Sequence, residues 1–188
     1  MQKYAIPVGT VLAPVPAVMI SSGDAPENYN IATASWTGTV CSKPPMTYVS
    51  FRPATLSQGI LMRTREFVIN LITEDQCEVL DWCGRVSGRE HNKWQEAGLT
   101  PVAAQKVKAP LIAECPINIE CKVTQVLELG SHFMYLAEIV AVNADEKYLL
   151  DGKLDLSNFN TIVNRGGIYV RLGEPIARMG FSLHPKKE

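Results

Sequence analysis

Ile117-Asn118-Ile119-Glu120-Cys121-Lys122-Val123-Thr124 alternates apolar and polar side chains without a break. Successive side chains of a β-strand point to opposite faces, so this period of two predicts a strand with one face on a core and one toward water, as in an antiparallel sheet. Working outward, Val15 to Ser21, Ala32 to Val40, Met46 to Arg52, Glu66 to Leu71, Phe133 to Val142 and Ile168 to Leu172 are rich in β-branched and aromatic residues and bounded by Gly, Pro or Asn. Seven such strands predict a barrel or a sandwich. Helical patterning is confined to short pieces. Leu56 to Thr64 follows Thr55-x-x-Gln58 and Glu74 to Cys83 follows Thr73-x-x-Gln76, both capping-box spacings, while Glu90 to Ala97 ends at Gly98, a C-cap residue.

The 188 residues allow one ordinary domain or at most two small ones. No repeat, low-complexity tract or linker divides them, so residues 1–188 read as one mainly β domain with short helical insertions. With 46% hydrophobic and 20% charged residues the chain can bury a sizeable core. A net charge of −1 excludes broad electrostatic binding to nucleic acid, and Lys186 and Lys187 are too few for a basic tail. Tyr4 to Gly23 carry no charge, but Pro7, Gly9, Pro14 and Pro16 break any signal or spanning helix, leaving a strand and turns. No membrane association and a cytoplasmic location are expected.

Five cysteines at 41, 77, 83, 115 and 121 form no Cys-x-x-Cys pair, and His91, His132 and His184 lack metal-ligand spacing. Reduced, mostly buried thiols and no metal site are expected. A Cys–His nucleophilic pair needs proximity only in space, but Cys41 has no local signature for it. No Gly-x-Gly-x-x-Gly or Walker pattern occurs, so a nicotinamide cofactor is not held by a Rossmann unit.

The most unusual segment runs Ala32-Thr33-Ala34-Ser35-Trp36-Thr37-Gly38-Thr39-Val40-Cys41-Ser42. On a continuous strand, Thr33, Ser35, Thr37 and Thr39 share one face, an uncharged hydroxyl stripe suited to a flat polar heterocycle. An exposed strand whose threonines serve β-propensity alone has the same pattern. Further on, Arg52-Pro53-Ala54-Thr55-Leu56-Ser57-Gln58 opens a helix, and a helix mouth flanked by Arg52, Thr55 and Ser57 is an anion site. Thr55 as an ordinary N-cap beside a surface Arg52 is the plainer account. Together, a ring site and a phosphate site describe a mononucleotide-type cofactor.

At these residues the chain resembles the flavin reductase-like, FMN-binding split-barrel family, specifically its flavoredoxin-type branch. The resemblance is carried by Pro14-Val15-Pro16-Ala17-Val18, Asn30 to Gly38, Cys41-Ser42-Lys43-Pro44-Pro45-Met46, Phe67-Val68-Ile69-Asn70-Leu71, Cys83 to Arg89, Ala109-Pro110-Leu111-Ile112, Glu120-Cys121-Lys122-Val123 and Leu172-Gly173-Glu174. It implies a six-stranded antiparallel split barrel, a homodimer, and non-covalent FMN in a groove near the subunit interface. By motif position, Ala34, Ser35, Trp36 and Thr37 line the ring edge, Cys41, Ser42 and Lys43 flank the flavin tail, and Arg52 and Ser57 approach the phosphate. His132 falls where many relatives place a residue near the flavin face, and equally suits a surface hairpin. One stretch departs: relatives usually show Asp before the Lys of Glu90-His91-Asn92-Lys93, so no contact from Ser87, Arg89 or Lys93 is carried over, and an exposed insertion loop is the simpler account. The implied function is an oxidoreductase in which NADH or NADPH reduces the flavin and electrons pass to a small acceptor. A carrier that exchanges electrons with redox proteins and never uses nicotinamide is the alternative.

Overall fold

A computed structural model describes residues 1–183 of the chain; His184, Lys186 and Lys187 lie outside the described residues. The main sheet is built from β1 (Val18–Ser22), β2 (Asn30–Ala34), β3 (Thr37–Ser42), β4 (Pro45–Phe51), β5 (Glu66–Leu71), β6 (Ile117–Glu128) and β7 (Phe133–Ala144). Their spatial order is β2-β1-β5-β6-β7-β4-β3, and every neighbouring pair is antiparallel.

Topology explains the curvature. Strands β2 and β3 occupy opposite edges of the sheet, yet only Ser35 and Trp36 separate them in sequence, so the sheet must curl until its edges meet. The Ser50 amide donates to the Trp36 carbonyl at 3.0 Å, which carries the β3–β4 pairing one residue past Thr37 into the bend between β2 and β3. The barrel is split there rather than closed by a ladder. Its interior is filled by Val18, Ile20, Ala34, Val49, Phe51, Phe67, Ile69, Cys121, Tyr135 and Ala137, with Leu61 entering from α1 (Leu56–Thr64). The mainly β, antiparallel architecture expected from sequence is thus present, with seven strands in the main sheet instead of six.

The extra strand has a local cause. The predicted strand Ala32 to Val40 bends at Ser35 and Trp36 and becomes two strands on opposite edges. The candidate Ile168 to Leu172 instead joins a small sheet, where Val15–Pro16 pairs with Ile162–Arg165 and that strand pairs with Ile168–Arg171.

Outside the barrel, α2 (Cys77–Arg85) buries Leu80 and Cys83 in a second core with Met19, Ile31 and Trp94. A Cβ on Gly84 would sit 2.9 Å from the Thr33 side chain, so the absence of a side chain there permits close packing of α2 on β2. The third predicted helix shrinks to α3 (Lys93–Glu96), capped by Asn92, whose side chain accepts from the Gln95 amide at 3.3 Å. Residues before it are tied down otherwise: Glu96 accepts from the Asn92 amide at 2.9 Å and contacts His91 Nδ1 at 2.8 Å. No helix among the described residues is long and apolar enough to cross a membrane.

The polar face of β6 departs from expectation. Asn118 and Glu120 are buried, because residues 103–112 fold across them. Glu120 accepts from the amides of Gln105 at 3.0 Å and Lys106 at 2.6 Å and from Asn143 Nδ2 at 2.8 Å. Asn118 Nδ2 donates to Asn70 Oδ1 at 2.9 Å, while Asn70 Nδ2 donates to Ser21 Oγ at 2.9 Å and Asn70 Oδ1 accepts from the Ile112 amide at 3.1 Å. Buried polar groups are tolerated when each finds a partner, and here they staple the covering segment to the sheet.

Candidate functional site

β4 ends at Phe51, and the next four residues turn the chain into α1. The Thr55 amide donates to the Arg52 carbonyl at 3.2 Å, and Thr55 Oγ1 accepts from the Gln58 amide at 3.2 Å. That cap leaves the amides of Leu56 and Ser57, at the positive end of the helix, without helical acceptors. Facing this mouth is the segment after α2. Arg89 crosses to it, donating from a guanidinium nitrogen to the Ala54 carbonyl at 2.8 Å. Between them lies a groove of about 300 Å³. Its lining holds Arg52, Arg85, Arg89 and Lys93 and not one carboxylate, in a chain whose net charge is −1. Among the described residues Arg85 alone of these pairs with an acid, Asp81 at 3.5 Å.

Lys93 is the least expected member. It is 5% exposed, and its Nζ donates to the carbonyl of Ile31 at 2.9 Å and to that of Cys83. Burial holds its pKa below the ordinary lysine value, opposed by the neighbouring Cys83. Buried charge without an opposite charge is costly, so an ammonium kept here beside a groove is a functional candidate. Asn30 is held beside it: its Nδ2 donates to Ser57 Oγ at 2.8 Å, and a Cβ on Gly88 would strike Asn30 Oδ1 at 2.1 Å.

Near Arg52 lies an aromatic pair. In the barrel join Trp36 sits opposite Ser50, two residues before Arg52, and its ring meets that of His132 with centroids 4.6 Å apart and planes at 39°. His132 Nδ1 lies 2.9 Å from Ser131 Oγ. Burial and the Arg52 guanidinium both hold the His132 pKa below the usual imidazole value, so at neutral pH the ring is uncharged. Trp36 keeps 40% of its surface exposed. The elements thus assembled are a flat, partly open platform, a cationic groove and a helix mouth.

Several residues named from sequence take other places. The hydroxyl stripe does not exist as one face, since the bend at Ser35 and Trp36 interrupts it. Thr33 Oγ1 donates to the Leu80 carbonyl and Thr37 Oγ1 to the Tyr48 carbonyl, so both hydroxyls serve the fold. The Ala34 side chain is buried in the barrel core, which leaves only its backbone for a ring edge. Ser57 is fully buried and its hydroxyl holds Asn30, so what it offers an anion is its amide.

Cys41, Ser42 and Lys43 form the tip of the β3–β4 hairpin, where Ser42 pairs with Pro45. Arg52 follows the opposite end of β4, so at about 3.3 Å per residue the tip lies roughly 20 Å from the groove within one chain. The 85–93 stretch is not a detached surface loop: it walls the groove through Ser87, Arg89 and Lys93. Asn30 and Lys93 lay in quoted motifs, but nothing in their spacing marks them. What marks Lys93 is an apolar neighbour, Trp94, which drags it into the core.

The three buried thiols are quiet. Burial pushes Cys83 up to about 11 and Cys115 up to about 12, and raises Cys121 as well. Among the described residues no three His, Cys, Asp or Glu side chains gather as metal ligands.

The family model described as the flavin reductase like domain matches residues 11–157. The chain belongs to the flavin reductase-like family. An uncharacterised protein of Archaeoglobus fulgidus is 31% identical over 146 residues, 78% of this chain and 81% of that one. The structure is similar to flavoredoxin of Desulfovibrio vulgaris (Miyazaki F), with a TM-score of 0.88 and 29% identity over 97% of this chain and all of that one. A Rhodococcus opacus protein named as the reductase component of a 4-nitrophenol 4-monooxygenase/4-nitrocatechol 2-monooxygenase is 26% identical over 113 residues, 60% of this chain and 57% of that one.

Proposed function

We propose that this flavin reductase-like protein is an FMN-dependent oxidoreductase that takes electrons from NADH or NADPH and passes them to free flavin, ferric iron or another small acceptor. The observation that carries the reading is the cationic, carboxylate-free groove at the mouth of α1, with the Trp36–His132 pair near its Arg52. A phosphate monoester fits the mouth, where Arg52 makes no ion pair among the described residues and the amides of Leu56 and Ser57 point outward from the helix. Asn30, fixed by Ser57, and Lys93 offer polar contacts deeper in the groove. The aromatic pair gives a ring system a surface to lie against, and the exposed side of Trp36 leaves room for a second planar molecule. Bound flavin supplies the electron chemistry, and the chain supplies position and charge. Uncharged His132 adds no second cation beside Arg52. The same reading includes a homodimer in the cytoplasm.

A second reading, a carrier that cycles against protein partners, is favoured by the flavoredoxin likeness over nearly the whole chain. One preparation tests both. Heat release and chromatography should recover one FMN per chain, and a colourless protein that takes up no FMN at micromolar concentration ends both readings. Anaerobic mixing with NADH or NADPH should bleach the flavin within seconds. No bleaching by either, with ready reduction by a ferredoxin-like protein, selects the carrier.

A further inference from the structure

Beside the cationic groove lies a second cleft, of about 430 Å³, and the two share a wall: Asn30, Gly88, Arg89 and Lys93 line both. Beyond that wall the charge reverses. The second cleft adds two carboxylates, Glu27 and Glu90, and no further Lys or Arg. Both residues are exposed, and neither makes an ion pair among the described residues. His91, in the same lining, is tied to Glu96 at 2.8 Å.

Two aromatic rings complete the cleft, Tyr29 and Trp94, with centroids 6.3 Å apart and planes at 54°. Trp94 is 9% exposed, and its indole N–H has no hydrogen-bond partner among the described residues. A buried indole N–H ordinarily finds an acceptor, so one left open in the wall of a cleft marks a place for a group that the chain does not supply. At the shared wall, Arg89 spends one guanidinium nitrogen on the Ala54 carbonyl and pairs with no acid among the described residues, and Lys93 gives two of its three N–H groups to carbonyls.

Cations at the seam are thus followed by aromatic rings and then carboxylates. A matching ligand has an anionic middle for Arg89 and Lys93, then a neutral heterocycle and a sugar diol: rings offer faces to the heterocycle, and carboxylates accept from hydroxyls. Adenosine joined through a diphosphate has these parts. A further phosphate on its ribose would set a second anion against Glu27 and Glu90, and like-charge contact of this kind rejects a ligand.

We infer that the second cleft holds the adenosine end of a nicotinamide dinucleotide whose ribose keeps a free 2′-hydroxyl, so that Glu27 and Glu90 set a preference for NADH over NADPH. The donor's role rests on the flavin reading above, in which FMN ends at its phosphate in the mouth of α1 and leaves this cleft to a second molecule.

ADP-ribose and its 2′-phosphate carry the adenosine end without nicotinamide, so calorimetric titration of the FMN-loaded protein with each reads the cleft and not hydride transfer. ADP-ribose should bind at least about tenfold more tightly, and the ratio should shrink as salt rises, because charges this exposed are screened. Glu27→Gln with Glu90→Gln keeps oxygens that accept from hydroxyls and removes both charges; the ratio should fall to within about twofold while the thermal midpoint holds. Arg89→Ala should weaken both fragments alike, by about tenfold. Anaerobic bleaching should follow the same order, with NADH ahead of NADPH in wild type and the two drawn level in the double variant. Equal affinity for the two fragments in wild type, a ratio unmoved by the double variant, or no binding of ADP-ribose at millimolar concentration would each overturn the inference. So would recovery of FAD instead of FMN from the purified protein, which gives the cleft to the cofactor's own adenosine. If NADH bleaches the flavin and ADP-ribose does not bind, the flavin reading stands and the assignment of the cleft falls. If no FMN is taken up, the flavin reading falls, and the same titration of the FMN-free chain still decides the cleft.

Discussion

Two polar regions of this molecule, one beneath residues 103–112 and one in the groove beside α1, behave oppositely. Under residues 103–112, Ser21, Asn70, Asn118 and Glu120 have their polar atoms matched to neighbours within the chain. In the groove, Arg52, Arg89 and Lys93 keep donors in reserve, and no carboxylate faces them. Both sets draw on strands and the segments that adjoin them, so position does not separate them; saturation does. A satisfied buried network rigidifies, whereas surplus donors of one sign in a groove await a ligand of the other. Substitution in the first should cost stability and spare binding, and in the second the reverse.

The largest effect is expected at Asn70. Replacing it by Ala leaves the Ile112 amide without its acceptor and takes one partner each from Asn118 and Ser21, which keep the carbonyls of Ile112 and Pro110; with the void left behind, the loss is on the order of 3–5 kcal/mol. Thermal unfolding should fall by roughly 10 °C or more, while FMN affinity of the folded fraction stays within about twofold. A comparable loss of affinity would make the two regions one coupled unit.

Next is Arg52→Ala. A charge-assisted hydrogen bond is worth about 1.5–3 kcal/mol, so FMN should bind roughly 10- to 150-fold more weakly, with riboflavin little changed and the melting temperature steady. Equal losses for both ligands would remove Arg52 from the phosphate position.

Smallest is Glu120→Gln, about 1–3 kcal/mol at neutral pH. Burial alone would raise the Glu120 carboxyl, but the amides of Gln105 and Lys106 and the Asn143 side chain outweigh it and leave the pKa below its ordinary value. A depressed carboxyl contributes fully above its unfolded value of about 4.3, and that contribution drains away as pH falls through the folded value. The difference in melting temperature between wild type and variant should therefore be constant from pH 7 to about 5 and shrink below about 4. A difference that persists unchanged into acid would assign the effect to shape rather than charge.

Alternation in Ile117 to Thr124 and the β-branched runs were enough to place most of the sheet, because apolar side chains at period two have only one way to reach a core. The Thr55 cap and the start of α1 were legible for the same local reason: the pattern and its hydrogen bond span three residues. Period and capping thus determine, from sequence alone, a mainly β chain with a helix mouth beside Arg52.

Tertiary structure decided the rest. Whether Asn118 and Glu120 face water depended on a segment some ten residues earlier folding over them, which leaves no mark on β6 itself. The hydroxyl stripe was lost because residues 32–40 had to turn from one sheet edge to the other. Ser57 and Lys93 became buried partners of Asn30, Ile31 and Cys83, separated by tens of residues in sequence. Local patterns encode what a residue's neighbours in sequence can satisfy; charge left unsatisfied, which marks the site, exists only once distant segments have been packed against it.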